Sequence, residues 1–375
     1  MSGEPAPRIL YLANDAGFFI SHRLPIAIQA QKDGYDVHLA APGKCPREVA
    51  AGGIRFHCIR LSRSGANPIS ELRSLVGLVR LLTKIRPQIV HAVTVKPIIY
   101  GGLAARLART PVFVAAIAGL GSVFVSGGRL QRSFVLLLYR LALRQKCVRI
   151  IFQNPSDKQE FIEEGVVSSS NAILIKGSGV DIRTFKMEAE PAEPVVFAFA
   201  GRLLRHKGIA EFLRAFEILQ ARKIEAVGWL IGEIDPGNPS SFTQSELERL
   251  VACSGVEVLG FRRDIPELLA RAHVIVHPSY YREGLPKVLS EAAACGRAAI
   301  TTDVPGCRDA IIANETGLLV PARDAVALAD AMEKLACDPL LRRRMGAAAR
   351  HLAEREYAIE TIVNQHLALY RSLQQ

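Results

Sequence analysis

The feature that most constrains the fold is an alternation of short apolar runs with longer amphipathic runs. The apolar runs are rich in β-branched residues, as buried strands are, and the amphipathic runs have helical spacing. Strands that alternate with helices form parallel sheets covered on both faces. The alternation occurs twice, before and after residues 187–194, a segment of Glu, Ala and Pro that is typical of a linker. We therefore predict an α/β protein with two doubly wound, Rossmann-like domains.

The pattern gives approximate positions for the elements. Strands are predicted at residues 8–14, 36–41, 56–60, 88–92, 112–117, 147–154, 173–176, 195–200, 227–232, 256–260, 273–279 and 298–302. Helices are predicted at 24–32, 68–85, 98–108, 130–144, 209–222, 243–254 and 265–271, with a turn at 317–320 and a helical tail from 325. We expect domains at 1–190 and 191–356, and a final helix at 357–375 that returns to the first domain. Ligands of such sheets bind beyond the carboxyl ends of the strands.

Composition narrows the class of partner. The net charge of +11 and the pI near 9.5 favour an anionic partner: a phosphorylated metabolite, an acidic lipid or a nucleic acid. Nucleic acid is not expected, because the arginines are dispersed and no recognition motif is visible. The seven cysteines form no C-x-x-C pair, which predicts reduced thiols in a cytosolic protein. Neither a secretory signal nor a segment long enough to span a bilayer is expected.

One helical segment has an unusual composition. Between residues 130 and 144, bulky apolar side chains alternate with arginines, and further basic residues lie on either side. A helix lying in the interface of an anionic membrane has this composition. A core helix with basic ends would have it too. We predict peripheral attachment to a membrane surface, with the core helix as the alternative.

A second segment combines two carboxylates with a strand-to-helix turn. The apolar strand at 273–279 is followed by Glu283 and by Pro286 in the expected first turn of a helix. Glu291 comes eight positions, or about two helical turns, after Glu283. N–H groups at a helix start bind phosphate, and carboxylates accept hydrogen bonds from sugar hydroxyls. This turn could therefore hold a nucleotide sugar. Two solvated glutamates beside an ordinary turn would give the same pattern.

Motifs in both halves resemble the family-4 retaining glycosyltransferases. In the second half they are Gly201 to Gly208 (GRLLRHKG), Pro278-Ser279, Glu283-Gly284-Leu285-Pro286, Glu291-Ala292 and Gly317-Leu318-Leu319-Val320. The first half is similar to the subgroup that elongates polyprenyl-diphosphate-linked sugars, in Phe19 to Pro25 (FISHRLP), Ser62-Arg63 ahead of Asn67-Pro68, Lys96 and Gly119-Leu120-Gly121-Ser122. The resemblance implies the GT-B fold, in which two Rossmann-like domains face a central cleft and the C-terminal helix packs on the first domain.

The resemblance also implies roles on the donor side. Arg202 and Lys207 would bind the donor diphosphate and, with Glu283, form the catalytic set. Glu283 would contact the donor sugar, and Glu291 would accept from the ribose hydroxyls. The remaining donor-binding residues would be Arg262, Ile265, Gly284, Leu285 and Pro286. No metal and no cofactor are expected beyond the UDP-sugar co-substrate, because cationic side chains and the helix start neutralise the diphosphate.

The acceptor side is predicted from charge. A lipid diphosphate needs cations beside an apolar surface. The candidate residues are Asp15, His22, Arg23, Lys96, Arg129 and Arg132. Each of these could instead be an ordinary surface residue, and Asp15 could instead form an Asx turn. His91 and His277 are predicted to form hydrogen bonds at strand ends.

The chain departs from the family pattern in two loops. Asn14-Asp15-Ala16-Gly17 replaces the usual glycine-rich first loop, and the second departure follows the strand at 112–117. Many relatives have a histidine where this chain has Ala118. In the retaining mechanism the leaving diphosphate oxygen deprotonates the acceptor, so this change need not abolish transfer.

The predicted activity is transfer of a HexNAc or hexose from a UDP-sugar to a polyprenyl-diphosphate-linked saccharide in bacterial glycan, polysaccharide or O-antigen assembly. The predicted location is the cytoplasmic face of the inner membrane. A sugar-nucleotide 2-epimerase of the same fold and a non-catalytic sugar-nucleotide-binding protein are the alternatives.

Overall fold

A computed structural model of the protein describes residues 6–61, 68–120 and 128–374. The chain forms two compact units, one of residues 1–178 with 362–375 and the other of residues 179–361. The elements of each unit alternate between strand and helix, as the sequence pattern predicts. Within the described ranges, no helix is both long and apolar enough to cross a membrane.

The first unit is built on a seven-stranded parallel sheet with the order β3-β2-β1-β4-β5-β6-β7. Its strands are β1 Arg8–Leu12, β2 Asp36–Ala41, β3 Arg55–Cys58, β4 Ile89–Val93, β5 Val112–Ile117, β6 Val148–Phe152 and β7 Ala172–Leu174. The strand order reverses direction between β1 and β4, which marks the switch point where sheets of this kind bind ligands.

Helices cover both faces of this sheet. They are α1 Ala16–His22, α2 Leu24–Lys32, α3 Arg47–Ala51, α4 Pro68–Ile85, α5 Val95–Leu107, α6 Arg129–Leu143 and α7 Pro155–Glu163. On one face, α5 packs against both α4 and α6, and apolar side chains of these helices form a buried core with the strands. The short helix α7 was not predicted, although Asn154 caps it by accepting from Asp157 N at 2.7 Å and a proline follows.

The second unit is built on a six-stranded parallel sheet with the order β10-β9-β8-β11-β12-β13. Its strands are β8 Val195–Ala200, β9 Ala226–Ile231, β10 Glu257–Gly260, β11 Val274–His277, β12 Ala298–Thr302 and β13 Gly317–Val320. Its helices are α8 Ile209–Ala221, α9 Gln244–Ser254, α10 Ile265–Arg271, α11 Lys287–Ala294, α12 Ala325–Cys337 and α13 Pro339–Leu352, with a π-helical turn at Ala353–Tyr357. The last helix, α14 Ile359–Ser372, joins the first unit from residue 362 onward.

One local prediction was wrong, and the helix α1 was not predicted. Residues 317–320 form the edge strand β13 rather than a turn, since they pair with β12. Gly317 is needed there for close approach of the strands, because a Cβ would lie 2.2 Å from the Ala299 carbonyl oxygen. The segment after β1 forms the helix α1, because the Asp15 carboxylate caps its first N–H groups.

The unit boundaries differ from the predicted boundaries at 190 and 356. Val180 N donates to Tyr357 O, and Ile359 N donates to Val180 O, so both stretches belong to the second unit. The predicted linker is likewise docked on this unit, where Glu190 pairs with the buried Arg342 at 3.0 Å. Composition alone does not reveal these contacts.

Candidate functional site

The second unit has its switch point between β8 and β11. These strands are neighbours in the sheet, and their carboxyl ends lead into the loops 201–208 and 278–286. Both predicted donor motifs therefore emerge at the place where a doubly wound sheet binds its ligand.

Gly208 allows these two loops to pack together. Its φ is +78°, and a Cβ on it would lie 2.1 Å from the Pro278 carbonyl oxygen. The loops are joined further by Tyr280 N, which donates to His206 O at 3.0 Å, and by stacking of the His206 and Tyr281 rings. The glycine in the first motif is thus required by both backbone conformation and space.

Glu283 lies between two basic side chains. Its Oε2 is 2.5 Å from Lys207 Nζ, and its Oε1 is 2.9 Å from His277 Nε2. The Lys207 and Glu283 side chains are 13% and 16% exposed, and His277 is buried. The fold thus brings together Lys207 and Glu283, which were predicted on separate motifs, and adds His277 to them.

The protonation states in this cluster follow from burial and charge. Burial acts to raise the pKa of the Glu283 carboxyl, but Lys207 and His277 outweigh it and hold the pKa below its usual value. Burial lowers the pKa of His277. At neutral pH the cluster is therefore a carboxylate that accepts from an ammonium and from a neutral imidazole.

Among the described residues, His277, Glu283 and Cys307 are a group that could offer ligand atoms to a metal ion. Burial raises the pKa of the Cys307 thiol to about 12, so it is protonated at neutral pH. Lys207 Nζ already donates a hydrogen bond to the Glu283 carboxylate. A thiol and an ammonium oppose the binding of a divalent cation, so this chemistry favours hydrogen bonding to a polar ligand.

Glu291 lies about one turn into α11, which begins at Lys287. Residues 283–286 are not helical, so the eight positions from Glu283 to Glu291 are part loop and part helix rather than two helical turns. Its carboxylate is 3.3 Å from Lys287 Nζ and 12% exposed, and burial raises its pKa. Pro286 is the N-cap of this helix, and Gly284, Leu285 and Pro286 are all buried.

The other predicted donor residues lie on neighbouring elements of the same unit. Arg202 is on the same loop as Lys207, half exposed, and pairs with Asp235 at 3.2 Å. Arg262 follows the edge strand β10 and pairs with Asp264, and Ile265 begins α10. Since β9 lies between β10 and β8, Arg262 and Ile265 lie to one side of the switch point.

In the first unit, Asp15 follows β1, His22 ends α1, and Lys96 lies in the first turn of α5. Asp15 accepts from Gly17 N at 2.7 Å, so the Asx-type alternative describes its local geometry. His22 stacks on Phe18 with ring centroids 4.1 Å apart. Lys96 pairs with Glu71 at 2.9 Å, a partner that the sequence did not suggest because it lies on α4.

Arg23 does not lie on the rim, which corrects the prediction for this residue. It is 1% exposed, and its guanidinium is buried because Arg23 sits at the junction of α1 and α2. His91 is also buried, inside β4, where its Nδ1 is 2.6 Å from the Tyr370 hydroxyl. Neither side chain is placed to touch a ligand on the surface.

The helix α6 has an exposed apolar stripe. Its members are Leu130, Phe134, Leu137 and Leu141. Arg129 is exposed at the start of the helix, whereas Arg132 pairs with Glu160 at 3.1 Å and Glu164 at 2.6 Å. The motif residues Ser62, Arg63, Asn67, Gly121 and Ser122 lie outside the described residues.

The fold and site together define a two-domain α/β protein of GT-B type with a polar cluster at the switch point of its second unit. Family profiles agree with this class. The family "Glycosyl transferase 4-like" matches residues 8–154, and "Glycosyl transferases group 1" matches residues 181–352. A solved structure, Anabaena Alr3699/HepE in complex with UDP, superimposes with a TM-score of 0.79 at 19% identity and covers 98% of this chain and 100% of that one.

Curated relatives identify the family. The chain is 30% identical to N,N'-diacetylbacillosaminyl-diphospho-undecaprenol alpha-1,3-N-acetylgalactosaminyltransferase of Campylobacter jejuni, over 97% of this chain and 98% of the relative. It is 28% identical to UDP-Gal:alpha-D-GlcNAc-diphosphoundecaprenol alpha-1,3-galactosyltransferase of Escherichia coli, over 73% of this chain and 72% of the relative. The chain belongs to the glycosyltransferases of GT-B fold, which confirms the resemblance found in its motifs.

Proposed function

We propose that this glycosyltransferase moves a HexNAc or hexose from a UDP-sugar to a polyprenyl-diphosphate-linked saccharide. The observation that carries the proposal is the cluster of Lys207, Glu283 and His277 at the switch point of the second unit. The names of the Campylobacter and Escherichia relatives support the substrate classes, since both act on undecaprenol-linked acceptors and one uses UDP-Gal.

The donor chemistry follows from charge. The Lys207 ammonium pairs with Glu283, and a bound diphosphate offers it a stronger partner. Lys207 and Arg202 then stabilise the negative charge that develops on the leaving diphosphate, and the N–H groups at the start of α11 add to this effect. Glu283 becomes free to accept from a hydroxyl of the donor sugar, and His277 keeps its carboxylate in place.

Glu291 is the proposed ligand of the ribose hydroxyls. Its carboxyl group is mostly buried on α11, and its ion-pair partner among the described residues is Lys287 on the same helix. Accepting hydrogen bonds from two neighbouring hydroxyls suits such a group. Arg262 and Ile265 are assigned to the edge of the base site.

Retention and independence of metal ions are part of the proposal. Because Ala118 offers no base, the leaving diphosphate oxygen takes the acceptor proton on the same face of the sugar. The cationic side chains perform the neutralisation that a metal ion would otherwise supply. Product NMR tests the first point, since the anomeric configuration of the donor should be kept, and full activity in a chelator tests the second.

The distribution of charge supports attachment to an anionic membrane. Residues 68–86, 95–109 and 129–146 carry twelve Lys and Arg residues and a single carboxylate, Glu71, so their net charge is +11, equal to that of the whole chain. These residues form α4, α5, α6 and their ends, which lie in one layer. Exposed apolar side chains stand on the same layer, namely Ile69, Leu72 and Val76 on α4 and the stripe of α6.

A surface that joins exposed apolar side chains to an excess of cations suits an anionic lipid interface. We place the enzyme peripherally on the cytoplasmic face of the inner membrane, where a lipid-linked acceptor is presented beside the first unit. Asp15, His22, Lys96 and Arg129 are the proposed acceptor contacts.

Saturation-transfer NMR tests the donor site. Intact protein is screened against UDP, GDP, UDP-GlcNAc, UDP-GalNAc, UDP-Glc and UDP-Gal, together with Glu291→Ala and a control, Glu315→Ala, whose carboxylate is exposed on a loop of the same unit. We expect binding of UDP and of one UDP-sugar that Glu291→Ala loses and the control keeps. Absence of nucleotide binding in the intact protein would contradict the proposed donor site.

A further inference from the structure

A second cluster of buried polar side chains lies in the first unit. It consists of Tyr11 on β1, His91 on β4, Arg23 between α1 and α2, and His366 and Tyr370 on α14, all at most 1% exposed. Tyr11 and His91 are paired residues in the sheet, with rings 5.2 Å apart. His366 stacks on His91 at 5.9 Å. The proposed transfer reaction uses none of these residues.

The hydrogen bonds within this cluster leave some of its buried polar atoms without a partner among the described residues. Arg23 Nη1 donates to His22 O at 2.9 Å, but Arg23 Nε and Nη2 are buried without a partner among the described residues. The same holds for His91 Nε2 and His366 Nε2. Buried polar atoms almost always have partners, so four such atoms in one cluster indicate a bound species.

The tautomers show which atoms can donate. The Tyr11 and Tyr370 hydroxyls are 3.0 Å apart, and Tyr370 is 2.6 Å from His91 Nδ1. When Tyr370 donates to His91 Nδ1, His91 Nε2 carries a proton and is a donor like Arg23 Nε and Nη2. His366 Nδ1 must donate to Ile362 O, so His366 Nε2 keeps a lone pair.

Charge gives the sign of the bound species. Arginine stays protonated at neutral pH even when buried. The groups whose charge acts on Arg23 are the Tyr370 and Tyr11 phenols, and burial raises the pKa of both, so they are neutral. A buried cation without a counter-ion is strongly destabilising. The missing partner is therefore negative.

We propose that this cluster binds one inorganic anion of halide size, held by Arg23 Nε and Nη2 and by His91 Nε2. All five side chains are at most 1% exposed, so a small monatomic anion is the occupant that we assign. A water molecule beside the anion donates to His366 Nε2. The bound anion ties α14 to β1 and β4, so it stabilises the first unit and has no part in donor binding.

Thermal unfolding of the intact protein tests the site. Midpoints are measured in sodium chloride and in sodium gluconate at constant ionic strength. Chloride should raise the midpoint by roughly 3–5 °C for each tenfold increase above its Kd. Arg23→Met should abolish this response, and Arg80→Met, which removes an exposed arginine from α4 of the same unit, should keep it.

Either of two results would overturn the proposal: no chloride response in the intact protein, which assigns the cluster to water alone, or an equal response in Arg23→Met. Should Arg23→Met fail to fold, crystals of the intact protein soaked in sodium bromide decide the question. An anomalous peak within hydrogen-bond distance of Arg23 Nε is expected, and a clean map without one excludes the anion. These readouts need neither donor nor acceptor, so they are independent of the transfer activity.

Discussion

At the level of single residues, the stability of the second unit depends on the contacts of one carboxylate, that of Glu283. Glu283 keeps its charge in a mostly buried position because Lys207 and His277 both contact it. Removal of the ammonium leaves a buried charge with only a neutral donor, which proteins tolerate poorly. The same ammonium is the group that we assign to the donor diphosphate. Stability and donor binding therefore depend on one side chain.

Lys207→Met should lower the free energy of unfolding of the second unit by about 3 kcal/mol at pH 7. The pKa of Glu283 is depressed in the folded state, so its contribution is present above its unfolded pKa of about 4.3 and is lost as the pH falls below that value. In Lys207→Met, burial raises the pKa of Glu283, so acidification should lower the free energy of unfolding by less than it does in the intact protein. Urea unfolding at pH 7 and pH 3 measures both effects.

The control for this prediction is Arg205→Met. Arg205 lies on the same loop, but its pair with Glu246 is exposed, so its removal should matter little. An equal dependence on pH in the intact protein and Lys207→Met would show that the ammonium does not hold the Glu283 charge.

Gly208→Ala should destabilise the second unit by at least about 2 kcal/mol, since the left-handed backbone disfavours a side chain and Pro278 occupies the space that a Cβ needs. Gly260→Ala is the matched control: its φ is +66°, but no atom lies within 4 Å of a Cβ there. Gly260→Ala should lower the free energy of unfolding by about 1 kcal/mol, which is the cost of a side chain on a left-handed backbone alone. Chemical denaturation compares the two, and similar losses would refute the steric argument.

At the scale of elements, two helices present surfaces that the core does not explain. Helices α4 and α6 each bury one face against α5 and the sheet, yet each also exposes large apolar side chains. Their basic residues have few acidic partners in the same layer, although Arg132 and Lys96 are paired. We interpret the exposed faces as the contact with lipid.

Phe134→Ser with Leu137→Ser should weaken binding to vesicles that contain anionic lipid by roughly tenfold or more, because two exposed apolar side chains are lost from the interface. Vesicle co-sedimentation at low salt measures this. Val326→Ser with Leu340→Ser removes two exposed apolar residues from the second unit and should leave binding unchanged. If the intact protein ignores anionic vesicles, the membrane assignment is wrong.

The helix α14 is fixed to the first unit by Tyr370, whose hydroxyl contacts Tyr11 and His91. Tyr370→Phe should therefore lower the free energy of unfolding by about 1–3 kcal/mol, because two buried polar groups lose their partner. Ser372→Ala, near the exposed end of the same helix, should change it by less than about 0.5 kcal/mol. Equal effects in the two variants would contradict this role of the hydroxyl.

At the scale of the whole molecule, the order of elements could be predicted because apolar periodicity records burial directly. Helices 24–32, 68–85 and 265–271 and strands 36–41 and 195–200 agree with the structure to the residue. The strand 317–320 was mistaken for a turn because glycine signals both a turn and a close contact between strands. The unit boundaries depend on contacts between residues that are distant in sequence, which no local pattern records.

The site could be predicted only in part for the same reason. Motifs placed Lys207, Glu283 and Glu291 at one switch point, because loops after parallel strands meet at one edge of the sheet. The contact of His277 with Glu283, the pairing of Lys96 with Glu71, and the burial of Arg23 all depend on tertiary packing. A charged residue beside a motif looks the same in sequence whether it lies on the rim or beneath it.

Product analysis tests directly whether the enzyme transfers a sugar to a lipid-linked saccharide. The purified enzyme is incubated with labelled UDP-sugars and a polyprenyl-diphosphate-linked N-acetylhexosamine, and both lipid and nucleotide products are analysed. We predict release of UDP and a lipid-linked saccharide one sugar longer, lost in Glu283→Gln and retained in Glu315→Gln. An epimerised donor, or a bound donor that is never transferred, would contradict the assignment of this chain as a transferase that acts on lipid-linked sugars.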